Sequence, residues 1–194
     1  MTTSPFVINI HDLSRRPGSM RELDVSVTLA EPLGSDVIAI AAGASLDLQL
    51  RLESVSEGVL VTGTATGTAT GECVRCLREL SEEVDVDITE LFAYEDTRSR
   101  RTADEGEDPE PLPVLDGDLL DLETTVTDAV VTSLPFQPVC TPDCAGLCSE
   151  CGVRLDDAEP GHSHEILDPR WAALSELARG GDGDDAEGEG EEPR

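Results

Sequence analysis

The chain contains no lysine. All 13 of its basic residues are arginine, against 42 acidic ones, for a formal charge of −29. Binding nucleic acid by charge alone needs clustered cations to neutralise phosphates. Here the only clusters are Arg15-Arg16 and Arg98-Ser99-Arg100-Arg101, so the balance argues against it. Such acidity either attracts a basic protein or keeps the chain soluble. Aromatics are scarce, at 3% of 194 residues, so the core must be modest and built from Val, Leu, Ile and Ala. No apolar run approaches the roughly 20 residues of a bilayer span. The opening "MTTSPFVINIHDLSRR" has no basic segment followed by a long apolar one, so it does not read as a signal peptide. The expectation is a cytoplasmic protein with no membrane contact. In a reducing compartment, six cysteines point to metal ligands or catalysis rather than disulfides.

What is present is alternation. "FVINI" (6 to 10) reads as a short strand, followed by a polar loop with a Pro-Gly turn. "LDVSVTL" puts Leu23, Val25, Val27 and Leu29 on one face, and "DVIAIAAG" reads as another strand ending at Gly43. In "SLDLQLRLESV", Leu46, Leu48, Leu50 and Leu52 oppose Asp47, Gln49, Arg51 and Glu53, and "SEG" (56 to 58) reads as a hairpin turn. The low-complexity "VLVTGTATGTATGEC" places Thr62, Thr64, Thr66, Thr68 and Thr70 on one face. Threonine at every second position favours a strand, and the small residues opposite let another element approach closely. In "EEVDVDITELF", Val84, Val86 and Ile88 point inward. Residues 1–94 therefore read as an antiparallel sheet or a partly open small barrel.

Residues 95–113 are charged and Pro-rich and read as a linker. Beyond them, Leu119, Leu122, Val126, Ala129, Val130 and Leu134 fall at helical spacing. This predicts a helix over 118–133, capped by Asp116 or Asp118 and ended by Pro135. A second short helix is marked by Asp168 as N-cap, Pro169 at the first helical position and Gly180 as terminator. The segment 114–180 thus reads as helix, Cys/His segment and helix, and 181–194 as a disordered acidic tail.

The Cys/His segment carries Cys140, Cys144, Cys148, Cys151, His162 and His164, while Cys73 and Cys76 lie in "GECVRCL". Zinc takes four tetrahedral ligands, thiolate and imidazole preferred. A Cys-x-x-Cys turn sets two sulfurs about one tetrahedral edge apart. In "CSECG", Gly152 suits the fold of the backbone under a metal, whereas "CVRCL" has Leu77 there and is less typical. Eight ligands make two sites in one of two ways. Cys73 and Cys76 join Cys140 and Cys144, leaving Cys148, Cys151, His162 and His164 as a local site. Alternatively, both Cys-x-x-Cys turns form one all-thiolate ribbon and the rest is weakly organised. Either way the ion is a bolt between sheet and C-terminal segment, contributing on the order of 10 kcal/mol or more to folding.

Rival chemistries fit less well. A redox dithiol usually sits at a helix N-terminus beside a βαβ unit, but Cys73 follows a Thr-rich strand among acids. A catalytic zinc keeps an open position and a nearby base. Glu150 and Glu165 flank ligands, as chance provides in so acidic a chain. The bland alternative for the His pair is a solvated loop. The sequence has no phosphate-cradling glycine loop and no Ser-His-Asp order.

"DLSRRPGSMREL", "GECVRCL", "PFQPVCTPDCAGLCSECGVRLDD" and "DPRWAAL" together resemble the YceD family of large ribosomal RNA subunit accumulation proteins over about residues 6 to 178. In the family both cysteine clusters look like metal sites, with Cys-x-Cys in many relatives where this chain has His162 and His164. Some relatives keep the first Cys pair without the Gly-Leu-Cys motif, which implies that Cys140 and Cys144 complete it. The resemblance brings no catalytic residue. It implies a non-catalytic ribosome biogenesis factor supporting large-subunit ribosomal RNA accumulation or processing. Its partners would be the large-subunit precursor and, given the acidity, a basic ribosomal protein, with direct RNA contact left open. The reading is therefore an α+β protein, its antiparallel sheet or partly open barrel followed by C-terminal helices and zinc-knuckle turns, with one or two structural zincs. A zinc- or redox-responsive regulator and a metal-dependent hydrolase acting on RNA remain the alternatives.

Overall fold

Leu46, Leu48, Leu50 and Leu52 are each almost fully buried, while Asp47, Gln49 and Arg51 between them are exposed. That two-residue period builds most of the fold. The computed structural model describes residues 4–95 and 112–164. It contains strands β1 (Val7–Asn9), β2 (Met20–Thr28), β3 (Leu33–Gly34), β4 (Ile38–Ile40), β5 (Ser45–Ser54), β6 (Gly58–Glu72), β7 (Glu79–Ala93) and β8 (Leu119–Asp121), and helix α1 (Glu123–Ser133).

Six of the strands form one antiparallel sheet. β6 is its centre: β7 pairs along the whole of one edge, from Gly58↔Ala93 to Glu72↔Glu79, while β5 and then β4 share the other. β2 lies outside β5, and β3 outside β4. Among the described residues β2 and β7 do not pair with each other, so the sheet is open and no closed barrel is formed. β1 and β8 make a separate two-stranded ribbon.

One face of the sheet carries the core. Val27, Leu46, Leu48, Leu52, Val59, Val61, Ala65, Val84, Ile88 and Phe92 are buried there with Phe6, Ile8 and Ile10, and with Leu120, Leu122, Val126 and Val130 of β8 and α1. On the other face the register sets Thr64 beside Asp87, Thr66 beside Asp85 and Thr68 beside Glu83. The Thr-rich stretch is thus a central strand. Its glycines admit a neighbouring strand's backbone. A Cβ on Gly63 would lie 2.0 Å from the Gln49 carbonyl oxygen, and one on Gly71 2.2 Å from that of Val37.

The helix begins five residues later than its periodicity predicts. Leu119–Asp121 instead pairs with β1, and neither Asp116 nor Asp118 caps α1. The Glu123 N–H donates to Asp121 Oδ1 at 3.0 Å, while Asp118 Oδ2 meets His11 Nδ1 at 2.9 Å. α1 ends at Ser133, and Leu134 is already extended ahead of Pro135. Among the described residues α1 is the one complete helix, so a C-terminal pair of helices is not observed. The second helix, most of the linker and the tail of the sequence reading lie outside the described residues. No helix among the described residues is long and apolar enough to cross a membrane. The chain divides into two compact units, Met1–Leu147 and Cys148–Arg194.

Candidate metal centres

The two Cys-x-x-Cys turns share one backbone design. In the first unit, the Leu77 N–H donates to the Cys73 carbonyl at 2.9 Å and the Cys73 N–H to the Arg78 carbonyl at 2.8 Å. In the second unit, the Gly152 N–H donates to the Cys148 carbonyl at 2.9 Å and the Cys148 N–H to the Val153 carbonyl at 2.8 Å. In each turn the residue after the second cysteine is left-handed, with φ 55° at Leu77 and 71° at Gly152. This loop aims amide N–H groups at the first sulfur: those of Arg75 and Cys76 at Cys73, and those of Glu150 and Cys151 at Cys148.

In the first unit, the β6–β7 connection brings Cys73 and Cys76 against Cys140 and Cys144, which follow α1. Cys73 and Cys144 sulfurs are 3.8 Å apart, and those of Cys76 and Cys140 3.6 Å. These are not disulfides, whose sulfurs bond at about 2.05 Å. They match the edge of about 3.8 Å in a tetrahedral thiolate site with metal–sulfur bonds near 2.3 Å. All four ligand atoms lie within 4.8 Å of one another. Cys73, Cys76 and Cys144 are buried and Cys140 is half-buried.

Three hydrogen bonds to backbone carbonyls hold the halves together. The Val74 N–H donates to the Pro138 carbonyl at 2.9 Å. The Arg75 guanidinium donates to the carbonyls of Pro142 at 3.3 Å and Cys144 at 3.1 Å. Arg75 was not among the site residues expected from sequence. The signal available was its place inside the Cys-x-Arg-Cys turn of a chain with few cations. Its guanidinium links the turn that carries Cys73 and Cys76 to the loop that carries Cys144.

The thiols are electrostatically unequal. Burial pushes Cys73 up, but the amides of Cys140, Arg75 and Cys76, with the Cys76 side chain, outweigh it and bring the thiol down to about 6. Burial pushes Cys144 up to about 12, with the neighbouring Cys76, Cys140 and Cys73 side chains adding to it. Cys76 is also raised, chiefly by burial. A cation that brings these thiols together as thiolates offsets that burial cost. The sulfur spacing and the donated amides both fit a metal ion.

In the second unit, Cys148, Cys151, His162 and His164 also gather within 4.8 Å. Cys151 Sγ lies 3.4 Å from His162 Nε2 and 3.2 Å from His164 Nε2, and the two Nε2 atoms are 3.1 Å apart. The amides of Cys151 and Glu150 and the His162 ring bring the Cys148 thiol down to about 6. Cys151 and His164 are exposed, Cys148 and His162 half-buried. Of the two divisions the sequence left open, the structure gathers the ligand sets of the first.

A family model described as large ribosomal RNA subunit accumulation protein YceD matches residues 61–178. An uncharacterised protein of Mycobacterium tuberculosis (strain ATCC 25618 / H37Rv) is 52% identical over 174 residues, covering 90% of this chain and 82% of the relative. One of Mycobacterium bovis is equally similar, and one of Mycobacterium leprae is 44% identical over the same length, covering 78% of that relative. No solved structure matches the chain. The matched segment spans both cysteine clusters, and the chain belongs to the YceD family of large ribosomal RNA subunit accumulation proteins.

Proposed function

We propose that the protein is a non-catalytic ribosome biogenesis factor. It supports accumulation of large-subunit ribosomal RNA by holding a basic ribosomal protein or an assembly intermediate, on a scaffold fastened by two zinc ions. The observation that carries the non-catalytic part is the first cluster. Four thiols, three of them buried, lie close enough to complete a tetrahedral set around one ion, which would leave no position for a reacting water. Zinc suits the all-sulfur set and the Cys2His2 set alike. When bound, it would be held by Cys73, Cys76, Cys140 and Cys144 in one unit and by Cys148, Cys151, His162 and His164 in the other. The family description supports the ribosomal role, and the −29 charge supports a basic protein partner over bare RNA.

The test is capture of tagged protein from growing cells, with and without ribonuclease. Basic large-subunit proteins retained after ribonuclease support the reading. Precursor RNA lost together with every protein would place contact through RNA and sink it. One observation favours a second reading, a zinc- or redox-responsive regulator: the second cluster pairs an exposed Cys151 with a half-buried Cys148 whose thiol is lowered to about 6. Thiolate character and access are what oxidants select.

A further inference from the structure

β7 is a 15-residue strand at one edge of the sheet. Its hydrogen-bonding direction is fixed at one end. The Ala93 N–H donates to the Pro113 carbonyl at 2.8 Å, and its carbonyl accepts from Leu115 at 3.0 Å, both away from β6. Alternation along an antiparallel ladder then turns the N–H and C=O of Ser81, Glu83, Asp85, Asp87, Thr89 and Leu91 to that same outer side. Glu90 Oε1 accepts the Leu91 N–H at 3.0 Å. From Ser81 to Thr89, about 27 Å of strand, no other strand among the described residues pairs with this edge.

Such an edge is a template for another chain. Its charge decides which. Glu83, Asp85 and Asp87 are exposed side chains on successive outward-facing residues. A second copy of β7 would set acids opposite acids, which destabilises pairing. An extended segment with Lys or Arg at alternate positions would set a cation opposite each acid. The residues between would lie beside Val84, Val86 and Ile88, so they must be apolar. Of the other outer strands, β3 is only 2 residues long, and β2 is 9 residues long and puts two acids, Glu22 and Asp24, in the outward-facing set.

We infer that the outer edge of β7, from Ser81 to Thr89, takes up an extended basic segment of a partner protein as an added strand. Main-chain hydrogen bonds supply affinity, and Glu83, Asp85 and Asp87 select alternating cations. The inference rests on the proposed basic partner and names where that partner binds.

The test uses the full metal-loaded chain and two ten-residue peptides, one alternating Lys and Val, the other Glu and Val, followed by backbone amide hydrogen exchange. The Lys peptide is expected to slow exchange at Glu83, Asp85 and Asp87 at least tenfold, and the Glu peptide to leave it unchanged. Asp85→Pro removes an outward N–H without touching the β6 ladder. It should weaken Lys-peptide binding at least tenfold while the inward amides of Val84 and Val86 stay protected. If that variant fails to fold, the surface triple Glu83→Lys, Asp85→Lys, Asp87→Lys serves instead and should exchange preference from the Lys peptide to the Glu peptide. Slowing at β2, slowing that appears without peptide as protein concentration rises, or no slowing at all overturns the inference. If basic large-subunit proteins are still captured by the triple variant, the edge is not the site and the proposed function stands without it. If the Lys peptide slows these amides but cells yield no basic protein, the edge binds and the proposed function fails.

Discussion

Leu77 and Gly152 occupy the same position in two turns with the same hydrogen bonds, and both are left-handed, at φ 55° and 71°. Only glycine adopts that conformation without steric cost. Leu77 is 52% exposed, so its side chain repays little of the cost by burial. Leu77→Gly should therefore stabilise the first unit by about 0.5–1 kcal/mol. A Cβ on Gly152 meets nothing within 4 Å, so Gly152→Ala tests backbone cost alone. It should loosen metal binding in the second unit, by about 1 kcal/mol. Thermal denaturation and metal titration of the two variants check the opposite signs.

Gly63 tests the reading of the Thr-rich strand. A Cβ there would sit 2.0 Å from the Gln49 carbonyl oxygen and 2.9 Å from Leu50 Cα, both of which belong to β5. Backbone has to move, so Gly63→Ala should destabilise by roughly 2 kcal/mol or more. Denaturant unfolding measures it. An unchanged midpoint would mean that β6 and β5 are not in this register.

His11 and Asp118 give a pH signature. The hydrogen bond and charge of Asp118, with Asp12 beyond it, raise the His11 pKa above the ordinary 6.5. The charged form is the one favoured by folding. The contribution is complete below the unfolded value near 6.5 and is lost as pH rises through the raised folded value. It is small, because both side chains are well exposed. A histidine NMR titration should find His11 above 6.5, and Asp118→Asn should bring it back toward that value.

Much of this was legible in the sequence because the core is one face of a sheet. Leu46 to Leu52, Val84 and Ile88 alternate with acids and polar residues, and period-2 burial leaves that mark. The start of α1 was not legible. Leu119 and Leu122 fit a helical stripe, yet Leu119–Asp121 is taken by β1. That pairing joins residues more than a hundred apart, which no local pattern contains. The same distance hid His11 against Asp118. The pairing of Cys73 and Cys76 with Cys140 and Cys144 could be posed from spacing but not decided by it, since either division supplies four ligands. Leu77 marks another limit. The expected glycine is absent, and the turn forms around a leucine because its hydrogen bonds and sulfur-directed amides hold it.

The two clusters should part under stress. Cys73, Cys76 and Cys144 are buried, whereas Cys151 and His164 are exposed. With zinc bound, a mild chelator or oxidant should strip the second site first. Mass-spectrometric thiol labelling should then find Cys148 and Cys151 modified at least tenfold faster than Cys73 and Cys76.

The most direct test of the account is the metal content and thermal unfolding of the purified chain, of Cys73→Ser and of Cys151→Ser. The account predicts two zinc ions in the parent and one in each variant. Unfolding of the first unit should collapse in Cys73→Ser and persist in Cys151→Ser, because the buried four-sulfur site ties the sheet to the segment after α1. A parent chain that holds no zinc, or a Cys73→Ser chain that keeps both its metal and its melting temperature, would contradict it.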